Sequence, residues 1–399
     1  MLRPDRGRSA WLAATLIGLI AVSAAPAPAD AVATTSLAST VEPAPASREE
    51  IAAAVAELIV DAMSAEERAS AVVMGHVGGT DAGALARYVD DRDLGGFILM
   101  GSNVPKDPRG LARLTDGIDG EDGALPPLVA VDQEGGVVSR LAWDDGPAGA
   151  ELARRSPEST REAFDARGAL LEAAGISVNF GIVADVGTAT SGFIRPRTLG
   201  GDADAASERV AAAVAGERQH AFSTLKHFPG HGAAPGDSHS VIPETNMTLE
   251  EWRAEHAPPF ASGIEAGAEL VMTGHLRFTA VDDVPASVSP EWYRILRDDL
   301  GFEGVAVTDD LGMLLASGEE RYADPVDSAV DAIAAGADLV LMVAGSNART
   351  AGDMADGIGA AVRDGDIPED RLREAATRVV TLRVLASGLL DGPEFDPAG

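Results

Sequence analysis

The 399-residue chain contains no cysteine. Disulfides are therefore excluded in any compartment, and so is a lipid-modified cysteine behind a leader. Positive charge is scarce: 31 Lys and Arg stand against 63 Asp and Glu, for a formal net charge of −32. So acidic a protein repels nucleic acid and anionic membranes, which excludes a nucleic-acid function. The acidity itself reads as a solvated outer surface and says nothing about a reaction. Long apolar runs are also lacking. The only candidate, Ala10 to Ala24, is short for a membrane span and ends in Ala and Pro. A glycine-rich phosphate loop is missing too, since Gly75-His76-Val77-Gly78-Gly79-Thr80 matches one only weakly.

What is present begins with an export pattern. Arg3, Arg6 and Arg8 precede the apolar run, and small-residue sites follow at Ala27-Pro28-Ala29 and Ala29-Asp30-Ala31. Residues 1–31 are expected to be a secretory signal peptide, with a retained anchor as the alternative. Residues 32–50, rich in Ala, Thr, Ser, Pro and Glu, carry no apolar period and are expected to be a disordered linker. The folded domain is expected at 51–393. The mature protein would be secreted, free or associated with the cell wall, without membrane contact after cleavage, and a monomer.

Along the domain, short β-branched runs ending in Gly, Asp or His alternate with Ala-rich amphipathic stretches. Strands are expected at Ser70–Val77, Gly95–Met100, Leu128–Asp132, Ile176–Asp185, Ser223–His227, Leu270–His275, Val305–Asp309 and Ala337–Val343. Helices fall between them, as at Ala205–His220 and Asp327–Ala335, and a last one starts near Asp366-Ile367-Pro368 with Asp366 as its cap. Alternation implies parallel pairing with right-handed crossovers. Eight units in about 340 residues predict a single-domain α/β fold, a (β/α)8 TIM-type barrel. An open doubly wound sheet is the alternative.

Chemistry-bearing residues gather where such a barrel concentrates function, at the C-terminal strand ends. Val131-Asp132-Gln133-Glu134-Gly135-Gly136 and Arg140 follow the third strand, and Asp185 and Arg195-Pro196-Arg197 the fourth. Lys226-His227-Phe228-Pro229-Gly230-His231-Gly232 and Asp237-Ser238-His239 follow the fifth. His275 ends the sixth strand and Asp309-Asp310 the seventh. Prolines and glycines forbid a helix from Lys226 onward, so this segment reads as a strand end opening into a mobile loop. For the same reason His227 and His231, although four apart, are not a helical zinc pair, and no metal or other cofactor is expected. Ser223-Thr224-Leu225-Lys226 fits a serine-acylase pattern but lacks its helix and companion motifs. Carboxylates, arginines, a lysine and histidines around one mouth suit a polyhydroxylated substrate needing proton transfer.

These motifs, together with Val307-Thr308-Asp309-Asp310-Leu311, resemble glycoside hydrolase family 3, in particular its single-domain exo-β-N-acetylglucosaminidases. The similarity extends over roughly residues 55–390. It implies Asp309 as catalytic nucleophile and His239 as general acid/base, with Asp237 its partner in a dyad. It further implies that Asp132, Arg140, Arg197, Lys226 and His227 bind the terminal sugar. Retaining hydrolysis needs a carboxylate at the anomeric carbon and a proton donor at the leaving oxygen, and Asp309 and His239 can supply them. Departures from the family pattern occur at Val137, where arginine is frequent, at Gly181-Ile182-Val183, Leu199 and Gly274. None removes a catalytic group.

The function expected is removal of terminal N-acetylglucosamine from peptidoglycan fragments or related glycans through a glycosyl-aspartate intermediate. Phosphorolysis by the same residues, a β-glucosidase or β-xylosidase specificity, and a non-catalytic cell-wall sugar-binding protein are the alternatives. Among other residues, Asp310 is expected to be structural because neighbours on a strand face opposite sides. Asp185 and Glu134 are also expected to be structural. Asp132 could instead cap a helix, and His275 could be a satisfied core histidine.

Overall fold

The computed structural model describes residues 46–118, 125–188 and 191–391. The expected signal peptide and most of the expected linker lie outside these residues. The linker's last residues do not: Ser47 and Glu50 form a capping box on a helix spanning Arg48–Ala62. The folded chain therefore starts before residue 51. Two first-turn N–H groups are satisfied by this Ser-x-x-Glu pairing, a local effect that tract composition hides.

All eight expected strands form: β1 (Val73–Gly75), β2 (Gly96–Leu99), β3 (Leu128–Val131), β4 (Val178–Val183), β5 (Phe222–Phe228), β6 (Leu270–Thr273), β7 (Val305–Thr308) and β8 (Val340–Leu341). Most are shorter than expected; Ser70 and Ala71 end the helix Ala65–Ala71 rather than opening β1. The strands pair in parallel in the order β8-β1-β2-β3-β4-β5-β6-β7. A parallel bridge from Val307 to Leu339 and a 3.0 Å bond from Thr308 N–H to the Leu339 carbonyl close the last gap. The architecture is the (β/α)8 barrel. No helix among the described residues is long and apolar enough to cross a membrane.

Strand parity sets the core. Met74, Ile98, Leu128, Ala130, Val178, Phe180, Leu270, Met272, Val305, Val307, Leu339 and Leu341 form one buried cluster. Their alternates, such as Phe97, Leu99, Val129, Val131, Val271, Ala306 and Val340, pack in a second cluster with the helices. Val379 and Leu382 of the last helix, Glu369–Ala386, join the inner cluster. That helix crosses the N-terminal ends of the strands. Its Arg371 and Arg378 reach buried Asp338 just before β8, at 2.5 and 3.1 Å, and Arg383 donates to the carbonyls of Leu125 and Pro126 before β3. The barrel is thus stoppered at the bottom and open at the top. The helix starts two residues later than expected: Pro368 occupies the cap position, and Asp366 closes the preceding helix by donating its N–H to the Ala361 carbonyl.

One buried carboxyl links the fold to pH. Glu217, fully buried at the end of helix Ala203–Glu217, accepts a 2.5 Å bond from the Asn179 amide on β4. Burial pushes it up to about 8, opposed only in part by that bond. A carboxyl raised above its unfolded value of 4.5 contributes stability in full below that value and loses it as pH rises through about 8. Glu269, raised by burial to about 7, has the same sign. Buried His231, lowered to about 4, acts in the opposite sense below its ordinary value of 6.5. Urea midpoints of the wild type should therefore fall between about pH 7 and about pH 9, and Glu217→Gln should flatten that fall, by on the order of 1 kcal/mol. An unchanged slope in the variant would contradict this assignment.

Candidate active site

The inward phase of three strands carries through to the barrel mouth, past the ends of β3 and β7 and within β5 near its end. Leu128 and Ala130 are followed by Asp132, Phe222 and Thr224 by Lys226, and Val305 and Val307 by Asp309. Residues two apart share a strand face, so these three polar groups point up the barrel axis. They line a cavity of about 310 Å³ together with Arg140, Arg197, His227 and His239. Seven of the eight expected site residues therefore meet in one place. The eighth, Asp237, stands behind His239 rather than on the wall.

An ion network forms one side. Lys226, 3% exposed at its side chain, lies 3.1 Å from Asp132 and 2.7 Å from Glu134, and Asp132 also pairs with Arg140 at 3.2 Å. Glu134 accepts two bonds from Arg197, at 2.9 and 2.7 Å. Burial opposes ionisation of Glu134, but Lys226 and Arg197 outweigh it and hold the carboxyl down at about 2. Lys226 is likewise opposed by burial, yet Glu134 and Asp132 raise it. Removing one member of such a buried set leaves a charge unpaired, at a cost of about 3–5 kcal/mol. Asp132 is committed to these cations and caps no helix. Arg140 is anchored through the preceding turn, where Gly135 and Gly136 have φ of +85° and +70°. Only glycine takes those angles without strain, which accounts for the Gly-Gly pair in the motif.

Asp185 organises the fifth-strand segment. It is fully buried and accepts bonds from His227 Nδ1 at 2.7 Å and from the His231 N–H at 2.5 Å. Burial opposes its ionisation, but His227 and His231 hold its pKa below the usual carboxylate range. Arg197 approaches the other ring nitrogen of His227, with Nη2 3.2 Å from Nε2. His231 is buried against Ser238, Nε2 to Oγ 2.9 Å, and burial then His227 lower it to about 4. The segment expected to be a mobile loop is therefore built in two parts. Up to His231 it is locked to Asp185, whereas the side chains of His239 and Asp237 are 61% and 47% exposed. Within the exposed part His239 Nδ1 meets Asp237 Oδ1 at 2.6 Å, so Nε2 is the ring nitrogen that Asp237 does not engage. Burial works against ionisation of Asp237, but His239 keeps its pKa low.

Among the described residues no cationic side chain hydrogen-bonds Asp309; its Oδ1 accepts from the Asp310 N–H at 2.8 Å. Burial resists its ionisation, but His227, His275, the Asp310 N–H and Lys226 together hold it at about 2. Both Asp309 and Asp310 line the cavity, contrary to the strand-alternation argument, because β7 ends at Thr308 and the next residues turn. Asp310 is nevertheless structural: its carboxylate accepts N–H bonds from Gly312, Val343 and Ala344 at 2.9, 2.7 and 2.8 Å and caps helix Leu311–Ala316. His275 is buried; its Nε2–H donates to the Asp310 carbonyl at 2.9 Å and Ser287 approaches Nδ1 at 2.7 Å.

The sequence reading left Glu134 and Asp185 as structural, but the former lines the cavity and the latter aims His227. Phe193 was missed altogether, and its ring meets His239, His231 and Arg197. An apolar wall of Ile98, Met100, Met272, Leu341 and Val343 was missed as well, although each follows the inward parity of its strand. Val137 lies 75% exposed on the Gly-Gly turn, so that departure faces solvent beside the site. Among the described residues no group of three or more His, Asp or Glu is placed to hold a metal ion.

A parallel barrel with an ionised aspartate at its mouth, ion-paired groups beside it and a His–Asp pair above has the groups that glycoside hydrolysis requires. The model for the glycosyl hydrolase family 3 N-terminal domain matches residues 48–382. A β-hexosaminidase of Methylobacillus flagellatus is 33% identical over 267 residues, covering 62% of this chain and 73% of that protein. Among solved structures, a family 3 β-N-acetylglucosaminidase of a Paenibacillus species superposes with a TM-score of 0.75 at 30% identity, over 82% of this chain and 63% of the other. A β-N-acetylhexosaminidase of Beutenbergia cavernae superposes at 0.71 and 30% identity, over 80% and 98%. The chain belongs to glycosyl hydrolase family 3. It is a glycoside hydrolase of the β-N-acetylhexosaminidase type, with a carbohydrate as substrate.

Asp185→Asn keeps the shape of the side chain but removes the charge that holds His227. It should lower kcat/KM about 100-fold, as expected for a displacement of order 1 Å at a binding group, while circular dichroism stays native. Wild-type kinetics in a folded variant would show that Asp185 aims nothing.

Proposed function

We propose that the chain is an exported, retaining exo-β-N-acetylglucosaminidase that acts through a glycosyl–Asp309 intermediate. The observation that carries this reading is the pairing, around one cavity, of an ionised Asp309 with His239, whose Nδ1 is held by Asp237. In the first step the Asp309 carboxylate attacks the anomeric carbon, while His239 gives its Nε2 proton to the leaving oxygen. Asp237 orients the ring and stabilises its charged form. In the second step His239 takes a proton from water, which displaces the sugar from Asp309. Asp132, Arg140, Lys226, Arg197 and His227 hold the hydroxyl groups of the terminal sugar, and Glu134 keeps two of those cations in place. The closed barrel floor and the small cavity suit removal of a single terminal residue. No residue in this scheme calls for a cofactor. The leader pattern at residues 1–31 supports export, and outside the cell peptidoglycan fragments offer the matching terminal β-linked N-acetylglucosamine.

Two experiments test the scheme. A 5-fluoro N-acetylglucosaminyl fluoride, which slows the second step, should leave a covalent sugar on the peptide that contains Asp309. Release of a sugar oxazoline, or a label on another residue, would replace Asp309 with the substrate's acetamido group or another nucleophile. His239→Ala should cost about 100- to 10,000-fold on substrates with poor leaving groups. It should cost much less on a dinitrophenyl glycoside, and added azide should restore part of the second step. If poor leaving groups are cleaved at the wild-type rate, the dyad has no acid/base role. Rates with and without phosphate, with a search for sugar 1-phosphate, separate hydrolysis from phosphorolysis in the same assays.

A further inference from the structure

Phe193 is the only Phe, Tyr or Trp among the described residues lining the cavity. It belongs to none of the motifs that carry the family resemblance, yet it touches two of the proposed functional residues, His239 and Arg197, and the buried His231. Its ring centroid lies 5.3 Å from that of His239 at an interplanar angle of 80°, and 5.5 Å from that of His231 at 55°. The Arg197 guanidinium sits 5.2 Å from the same ring. An edge-to-face pair and a cation over a ring are both attractive geometries. The segment that carries Phe193 is itself tied to the histidine segment, because Ser191 Oγ donates to the Gly232 carbonyl at 2.9 Å.

His239 needs such a support. Its side chain is largely exposed, and Asp237 lies only two residues away on the same loop, so their bond fixes the ring within the loop but not over the sugar. Ser238, which bonds buried His231, ties the backbone to the barrel. Phe193 is the ring from outside the loop that meets the imidazole itself, and it is held in turn by Arg197, which Glu134 fixes with two hydrogen bonds. The chain of contacts runs from the buried ion network to the group that moves the proton.

We infer that Phe193 is a positioning residue that seats the His239 imidazole over the leaving-group side of the cavity. The inference rests on His239 being the acid/base. It makes a demand that a merely structural ring would not meet: loss of Phe193 should hurt most where proton donation matters most. The test compares kcat/KM for phenyl and 2,4-dinitrophenyl β-N-acetylglucosaminides in the wild type and in F193A, F193L and F193Y. An aromatic pair of this kind supports an effect of about tenfold. Hence F193A and F193L should lose about tenfold more on the phenyl than on the dinitrophenyl substrate, and F193Y, which keeps the ring, should restore the wild-type ratio. F193L preserves apolar volume, so it reports even if F193A folds poorly. Equal losses on both substrates, or a wild-type ratio in F193L, overturn the inference. An H239A control that keeps the wild-type leaving-group dependence would instead remove the acid/base assignment on which it rests.

Discussion

In a closed barrel of parallel strands, every second residue of each strand points at the axis, where there is no room for solvent. Below the mouth that constraint selects Leu, Val, Ile, Met and Phe, and at the mouth it delivers whichever residue comes next in phase. Asp132, Lys226 and Asp309 arrive together for this reason, each two residues beyond a buried inward-facing neighbour, Ala130, Thr224 and Val307. The last helix stoppers the other end with Val379 and Leu382. The mouth is therefore where inward-facing charge meets open space, and function follows from that asymmetry.

Once brought together, the charges govern one another. Lys226 and Arg197 could not be buried without Glu134 and Asp132, and the carboxylates could not stay ionised without the cations. Each member supplies the compensation that burial demands of the next. The result is a rigid polar wall whose members are aimed before any sugar arrives, so little reorganisation is left for the reaction. Opposite it stands a different kind of device. His239 and Asp237 lie on an exposed loop, coupled to the rigid wall through Ser238, His231 and Phe193. A buried, ion-paired half and an exposed His–Asp pair are thereby combined in one segment.

Much of this was legible along the chain. The eight strands, their parallel order and the residues at their ends follow from period-two patterning interrupted by Ala-rich stretches. The roles assigned to Lys226, His227, Asp237 and His239 within a single segment came from a motif resemblance, and the structure divides that segment at the same point, between a locked half and an exposed half. Less legible were the partners. Nothing in the one-dimensional spacing says that Asp185 meets both His227 and His231, or that Glu134 lies between Arg197 and Lys226, because these contacts span 42 to 92 residues. Phe193 had no signal at all: its contacts depend on where two strand-end segments lie beside each other. The helix at Arg48 and the late start of the last helix were hidden because caps are set by single local hydrogen bonds.

By itself, then, the sequence determined the barrel, the strand phase and the residue types at the mouth, since periodicity is a local property of the backbone. Only the tertiary structure decided the surroundings of each carboxylate. Asp309 and Asp310 are adjacent and chemically identical, yet three backbone N–H groups bind the carboxylate of Asp310 while that of Asp309 faces a field of cationic and imidazole groups. That difference comes from the turn after β7 and from neighbours contributed by β5, β6 and β8. The physical reason is that ionisation and orientation depend on the surrounding charges and donors, which are assembled only when distant strand ends meet.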